Sequence, residues 1–166
     1  MTNECLIYAF GPWAHMRTNR SQDVLHALSD IQADKMVLPV GYDEPIYSTL
    51  AKPHHKIIVG LGQWPPGGGV RIERATYNLK RLDDGNMVEI EPGGLSRLPV
   101  DLMFEPIEGS LLSENPGEGV CNYLMYLLMK IKSEETKFGF LHIPSDMKVD
   151  RAATIVRELL AQVGVQ

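Results

Sequence analysis

The chain has 166 residues, a mass of 18.5 kDa and a formal net charge of −5. This length predicts one domain over residues 1–166, and the negative charge without a Lys or Arg cluster argues against nucleic acid or an anionic membrane as the main partner. The two cysteines form no disulfide framework, so we expect a cytoplasmic protein that binds a small or peptidic ligand.

The first part of the chain alternates apolar runs with amphipathic segments. Cys5–Phe10 predicts a buried strand, and this run is too short for a signal peptide or a membrane span. Ser21 is the expected N-cap of the first helix, whose apolar stripe comprises Val24, Leu25, Leu28 and Ile31. Further strands are predicted at residues 35–40 and 55–61, with a short helix at 44–52 between them. This order predicts a three-layer α/β/α fold with a mostly parallel, mixed central sheet and ligands beyond the carboxyl ends of its strands.

The second part begins with a glycine- and proline-rich segment, residues 62–69, which predicts a loop and matches no phosphate-binding pattern. Asp84-Gly85-Asn86 predicts a hairpin turn that leads into a partner strand at residues 87–90. The remaining predicted elements are an irregular strand pair involving residues 98–104, a helix after Gly119, a strand at 137–143 and a last helix from about Asp150.

Cys121 is the first candidate functional residue. Gly117 and Gly119 predict a tight turn, and Leu124, Leu127 and Leu128 recur at helical spacing, so Cys121 falls in the first turn of a helix. There the free N–H groups and the helix dipole lower a thiol pKa and favour a nucleophile. A small buried hydrophobic residue that closes the helix on a core is the alternative.

His142 is the best candidate base for a thiol nucleophile. It lies at the carboxyl end of a predicted buried strand, where catalytic groups of α/β proteins gather. His54 and His55 precede their strand and should lie at the opposite edge of the sheet. They could bind a metal, but neither has a cysteine or a second carboxylate at ligand spacing, so the sequence predicts no metal site.

Glu73 is the candidate for the group that orients the histidine. On composition alone, an exposed carboxylate that pairs with Arg71 or Arg74 is the favoured interpretation. The residues by themselves therefore do not assign the orienting role to Glu73.

Four motifs in one order resemble the pyroglutamyl peptidase I family of cytosolic cysteine peptidases. They are Ala9-Phe10-Gly11-Pro12-Trp13 with Asn19 and Ser21; Gly62-Gln63 followed by Glu73-Arg74 and Asn78; Gly117 with Val120-Cys121-Asn122 and Tyr126; and Gly139-Phe140-Leu141-His142-Ile143-Pro144. The similarity spans residues 5 to 150. Four motifs at compatible spacing are far more specific than any one of them.

The resemblance implies a peptidase that removes an N-terminal pyroglutamyl or related small acyl group from a peptide or acyl amide. It implies a Cys121, His142 and Glu73 triad, an acyl-thioester intermediate, and no metal or organic cofactor. The Cys121 N–H is the expected oxyanion donor, and Arg81 is a second candidate. The implied substrate-binding residues are Phe10, Trp13, Asn19, Gln63, Gly69 and Val120.

The chain also departs from the family. It is shorter, Trp13 replaces a phenylalanine, Arg20 replaces a proline, and Gly69 stands where the family places a glutamine that recognises the lactam. Two alternatives therefore stay open: a non-catalytic ligand-binding or interaction protein that retains the fold, and a different thiol amidase or acyltransferase. The sequence also leaves the oligomeric state open, a homo-oligomer included.

Overall fold

A computed structural model describes residues 3–42, 50, 52 and 54–166. Its strands are β1 (Cys5–Phe10), β2 (Asp34–Leu38), β3 (Ile57–Trp64), β4 (Val70–Glu73), β5 (Ala75–Tyr77), β6 (Lys80–Arg81), β7 (Met87–Val88), β8 (Arg97–Pro99), β9 (Ser110–Ser113) and β10 (Lys137–Pro144). Its helices are α1 (Arg20–Ala27), α2 (Val120–Ile131) and α3 (Val149–Gln162). Within the described residues, no helix is both long enough and apolar enough to cross a membrane.

In the part of the chain that the structure describes, the central sheet has six strands in the order β2-β1-β3-β10-β4-β9. The strands β2, β1, β3 and β10 are parallel, whereas β4 runs antiparallel to β10 and parallel to β9. Two small antiparallel pairs, β5 with β8 and β6 with β7, lie outside this sheet. The predicted mostly parallel, mixed sheet is confirmed.

The helices cover both faces of the sheet and complete the three predicted layers. On one face, α1 and α3 pack over apolar side chains that include Ile7, Val59 and Leu141. On the other face, α2 packs over Tyr8, Ile58 and Phe140. Alternate residues of each central strand therefore enter opposite cores, which explains why these strands are continuous apolar runs in the sequence.

Several predicted boundaries were wrong. The N-cap of α1 is Asn19 rather than Ser21, because the Asn19 side chain accepts a hydrogen bond from the Ser21 N–H at 3.0 Å. The loop predicted to start at Gly62 starts at Pro65, since β3 continues to Trp64 in register with β10. The strand β9 was not predicted, and the predicted helix at 44–52 lies largely outside the described residues.

Candidate active site

The carboxyl ends of β1, β3 and β10 meet at one edge of the sheet, beside the first turn of α2. Because these strands are parallel, their carboxyl ends bring the loop after Phe10, the end of β3 and His142 together. The residues come from segments that are far apart in the sequence. The sheet topology is therefore what assembles this site.

Cys121 lies in the first turn of α2, directly after the N-cap Gly119 and Val120. Its neighbour Asn122 is fully buried and fixes the start of the helix against the β5 segment. The Asn122 amide donates to the carbonyl oxygens of Tyr77 and Leu79 at 2.8 and 2.7 Å, and its side-chain oxygen accepts from Thr76 Oγ1 at 2.8 Å. These three hydrogen bonds of the Asn122 side chain position the start of α2 and, with it, the Cys121 thiol.

His142 and Glu73 form a buried hydrogen-bonded pair. His142 Nδ1 lies 2.8 Å from Glu73 Oε1, and both side chains are almost fully buried. Glu73 pairs in register with Phe140 on the antiparallel β10, so His142 is its diagonal neighbour on the same face of the sheet. The carboxylate therefore fixes the orientation of the ring and leaves Nε2 pointing away from Glu73.

Gly62 brings the Cys121 thiol close to the His142 ring. A Cβ on residue 62 would lie 2.8 Å from Cys121 Sγ and 2.8 Å from His142 Cδ2, so these two atoms are separated by no more than twice that distance. The thiol therefore lies within that distance of Cδ2, the ring carbon that is bonded to Nε2. A side chain at residue 62 would occupy the space that this approach requires.

The sequence analysis missed Trp64 and the full role of Arg71 beside the pair. The Trp64 ring lies 4.8 Å from the His142 ring, and the Arg71 guanidinium carbon lies 4.1 Å from the Trp64 ring centroid. Arg71 Nε also donates to Glu73 Oε1 at 3.3 Å. The alternative interpretation of Glu73 was thus right about the Arg71 contact and wrong about exposure, because Glu73 is 1% exposed.

Burial and hydrogen bonding set the charges of the three groups. Burial raises the pKa of the Cys121 thiol, and the negative charge of Glu73 raises it further. Burial also lowers the pKa of His142, although the hydrogen bond to Glu73 opposes this effect. Burial alone would raise the pKa of Glu73, but its interactions with His142, Ser113 and Arg71 together outweigh burial and lower that pKa.

At neutral pH the site therefore holds a neutral thiol, a neutral imidazole and an ionised Glu73. The expectation that the helix start lowers the thiol pKa was wrong, because desolvation outweighs the backbone contribution at this position. Such a thiol needs a neighbouring base to become a nucleophile. The His142 imidazole is the titratable side chain of this kind beside the thiol.

The thiol opens into a cavity of about 600 Å³. Phe10, Trp13, Asn19, Gln63, Arg81 and Val120 line it together with Cys121. Trp13 stands at its rim with 49% of its surface exposed, whereas Phe10 is buried. The structure thus brings all but one of the sequence-predicted binding residues to the cavity beside the thiol.

Two of these residues are already engaged in positioning the first loop. Asn19 Oδ1 accepts from Ser21 Oγ at 2.7 Å, and Asn19 Nδ2 donates to the Gly11 carbonyl at 3.1 Å. Gln63 Oε1 accepts from the Arg20 N–H at 2.7 Å. Gln63 therefore holds the start of α1 against β3, and Asn19 ties the same helix start to the loop at Gly11.

Gly69 is the predicted binding residue that does not line the cavity. It lies directly before β4, where an added Cβ would clash with the Gly109 carbonyl oxygen. Arg81 lies at the cavity rim and forms an ion pair with Glu118, with both side chains about half exposed. Its charge is therefore already balanced by a neighbouring carboxylate.

Comparisons with known proteins point to one family. The sequence model of the pyroglutamyl peptidase family matches residues 3–154. The pyrrolidone-carboxylate peptidase of Staphylococcus aureus strain JH9 is 27% identical, with 84% of this chain and 77% of that protein covered. The crystal structure of pyrrolidone carboxyl peptidase from Thermus thermophilus has a TM-score of 0.81 and 25% identity, and the match covers 94% of this chain and 98% of that one. Pyroglutamyl peptidase I from Bacillus amyloliquefaciens has a TM-score of 0.80, 20% identity, and coverage of 97% and 94%.

Proposed function

This chain belongs to the pyroglutamyl peptidase family, and from that premise we propose that it hydrolyses the amide bond after an N-terminal pyroglutamyl residue. In this proposal Cys121 is the nucleophile, His142 is the base and Glu73 is the group that orients the base. The observation that carries this proposal is the 2.8 Å contact between His142 Nδ1 and Glu73 Oε1, with the Cys121 thiol beside the same ring. A nucleophile, a base and a group that orients the base are the elements of a covalent acyl-transfer site.

Acylation starts with a neutral Cys121 thiol and a neutral His142 ring. As Sγ attacks the pyroglutamyl carbonyl carbon, His142 Nε2 takes the thiol proton, and Glu73 stabilises the imidazolium that forms. The developing oxyanion lies at the start of α2, where the Cys121 N–H has no helical acceptor. His142 then gives its proton to the leaving nitrogen, the amide bond breaks and a thioester remains on Cys121.

Deacylation repeats these steps with water. His142 Nε2 takes a proton from the attacking water, the carbon–sulfur bond breaks, and the proton returns to Sγ. Free pyroglutamate leaves the cavity and the resting thiol is restored. Removal of the Cys121 N–H from the oxyanion would cost about 10²–10³-fold in rate by analogy with other oxyanion donors.

We expect the pocket to accept a small flat ring. Phe10 and Trp13 supply aromatic faces at the cavity, and Asn19 and Gln63 are side-chain candidates to hydrogen-bond the lactam. Gly69 contributes no side chain and lies away from the cavity, so backbone groups must supply the remaining lactam contacts. A missing hydrogen bond of this kind costs roughly 1–3 kcal/mol, and we therefore expect weak pyroglutamyl turnover with poor discrimination against prolyl analogues.

The experiment is to measure kcat/KM on a pyroglutamyl coumarin amide beside prolyl, alanyl and acetyl coumarin amides. We expect turnover of the pyroglutamyl amide and its loss in Cys121→Ser. The Cys5→Ser variant is the matched control, since Cys5 is a buried thiol of β1 that should not affect turnover. Absence of turnover on every amide would instead support a binding protein, and preference for a non-pyroglutamyl amide would support a different thiol amidase.

Three further features belong to the same proposal. We place the enzyme in the cytoplasm, because a reducing compartment suits a catalytic thiol and two unpaired cysteines. We also propose that residues 1–166 form one domain, since one sheet organises the helices on both of its faces.

A homo-oligomer is compatible with the exposed apolar side chains Leu95, Met103 and Leu112, and light scattering would test it.

A further inference from the structure

A second cluster of ligand-type side chains lies at the opposite edge of the sheet from Cys121. It comprises Asp34 at the start of β2 and the adjacent His54 and His55, which precede β3. Since β2, β1 and β3 are parallel, their amino ends meet at this edge just as their carboxyl ends meet at the thiol. The proposed peptidase mechanism uses none of these three residues.

The three ligand atoms already lie close to the spacing that a metal ion imposes. Nε2 of His55 is 2.9 Å and Nε2 of His54 is 3.6 Å from Asp34 Oδ2, and the potential ligand atoms all lie within 4.8 Å of one another. Ligands of a tetrahedral Zn²⁺ at 2.0–2.1 Å are about 3.3 Å apart. The observed separations bracket this value, so the three side chains converge on a space of the size that one ion needs.

The surrounding structure holds these side chains in place. Asn3 Nδ2 donates to Asp34 Oδ1 at 3.0 Å, which leaves Oδ2 facing the two imidazoles. His55 is 2% exposed, and its carbonyl oxygen accepts from Thr136 Oγ1 at 2.7 Å. Among the described residues its Nδ1 has no hydrogen-bond partner, so the polar contact of this buried ring is the one that Nε2 makes with Asp34.

The cluster is also accessible and chemically selective. The side chains of His54 and Asp34 are 36% and 42% exposed, so an ion can reach the site from solvent. Two imidazoles and one carboxylate suit Zn²⁺ and related first-row divalent ions rather than Mg²⁺ or Ca²⁺, which prefer all-oxygen sites. Water would complete a tetrahedral shell.

We propose that Asp34, His54 and His55 bind one Zn²⁺ ion and that the ion ties the start of β2 to the chain before β3. The sequence analysis found no carboxylate at ligand spacing because Asp34 is twenty positions before His54 and reaches it only through the parallel sheet. A metal ion that binds the folded chain but not the unfolded chain stabilises the fold. The melting temperature should therefore rise with the Zn²⁺ concentration.

The test uses tag-free protein with Cys121→Ser, which removes the cavity thiol as a competing zinc ligand. Calorimetric titration with Zn²⁺ should give one ion per chain. Asp34→Asn and His54→Ala should each weaken binding by at least about tenfold, because loss of even an outer-shell partner costs about 10–100-fold in metal affinity. His26→Ala, which removes an exposed histidine of α1, is the matched control and should bind like its parent.

Co²⁺ supplies an independent readout that does not depend on peptidase activity. We expect the visible absorption of a nitrogen- and oxygen-ligated site, and its loss in His54→Ala. If Asp34→Asn fails to fold by circular dichroism, His54→Ala decides the question, since that side chain is partly exposed. Absence of saturable Zn²⁺ binding, or unchanged affinity in the folded ligand variants, would overturn the proposal.

Discussion

The substitution Gly62→Ala should separate catalysis from stability. The added methyl would lie 2.8 Å from both Cys121 Sγ and His142 Cδ2. Ordinary contact needs about 3.5 Å, so each of these groups must retreat by about 0.7 Å. A misplacement of this size near the reacting atoms costs about 10²-fold, and we expect kcat/KM to fall by that factor, or about 2.7 kcal/mol.

Gly139→Ala is the matched control for this prediction. Its methyl would lie 2.8 Å from Phe104 Cε2, on the face of β10 opposite His142. Both substitutions overpack the interior by about 1–3 kcal/mol and should lower the melting temperature by several degrees. The assay is kcat/KM on the pyroglutamyl coumarin amide with melting curves of both variants. Full activity in Gly62→Ala, or an equal loss in Gly139→Ala, would refute the reasoning.

Three other predictions concern the same site. His142→Ala should lower kcat by about 10³–10⁴-fold, whereas Glu73→Gln should lower it less because an amide oxygen can still accept from Nδ1; equal losses would contradict these roles. Burial lowers the pKa of His142, and only the neutral ring accepts the thiol proton. The acid limb of the kcat/KM profile should therefore lie below pH 6.5. A limb above that value would contradict a neutral Cys121 thiol beside a neutral His142 ring. Trp13→Ala should raise KM by up to about tenfold with little change in kcat. We expect the Trp13 indole to bind the acyl ring equally well in the ground state and in the transition state. An unchanged KM would show that Trp13 does not contact the acyl ring.

The fold was largely predictable because its central strands carry strong local signals. Cys5–Phe10 and the segment around Phe140 are continuous apolar runs, and both are buried strands. The α2 helix follows from its glycines and leucine spacing. The strand β9 was missed because Ser110–Ser113 is a short, partly exposed edge strand without alternation. Its pairing with β4 depends on the sheet rather than on its own residues.

The site was predictable in its chemistry and less so in its environment. The motifs named Cys121, His142 and Glu73, but the thiol pKa depends on desolvation, which sequence position alone does not give. Trp64 carried no separate signal, because its contact with His142 requires β3 and β10 to be in register. Gly69 was assigned by resemblance to the family, and the packing of its backbone against Gly109 keeps it away from the cavity.

The most direct test of the catalytic account is to identify the residue that becomes acylated. The protein is mixed with a pyroglutamyl amide, quenched in acid during turnover and mapped by mass spectrometry. The account predicts a pyroglutamyl group on Cys121, and its loss in Cys121→Ser while Cys5 stays unmodified. Acylation of Cys5, or turnover in Cys121→Ser at the rate of the native chain, would contradict it.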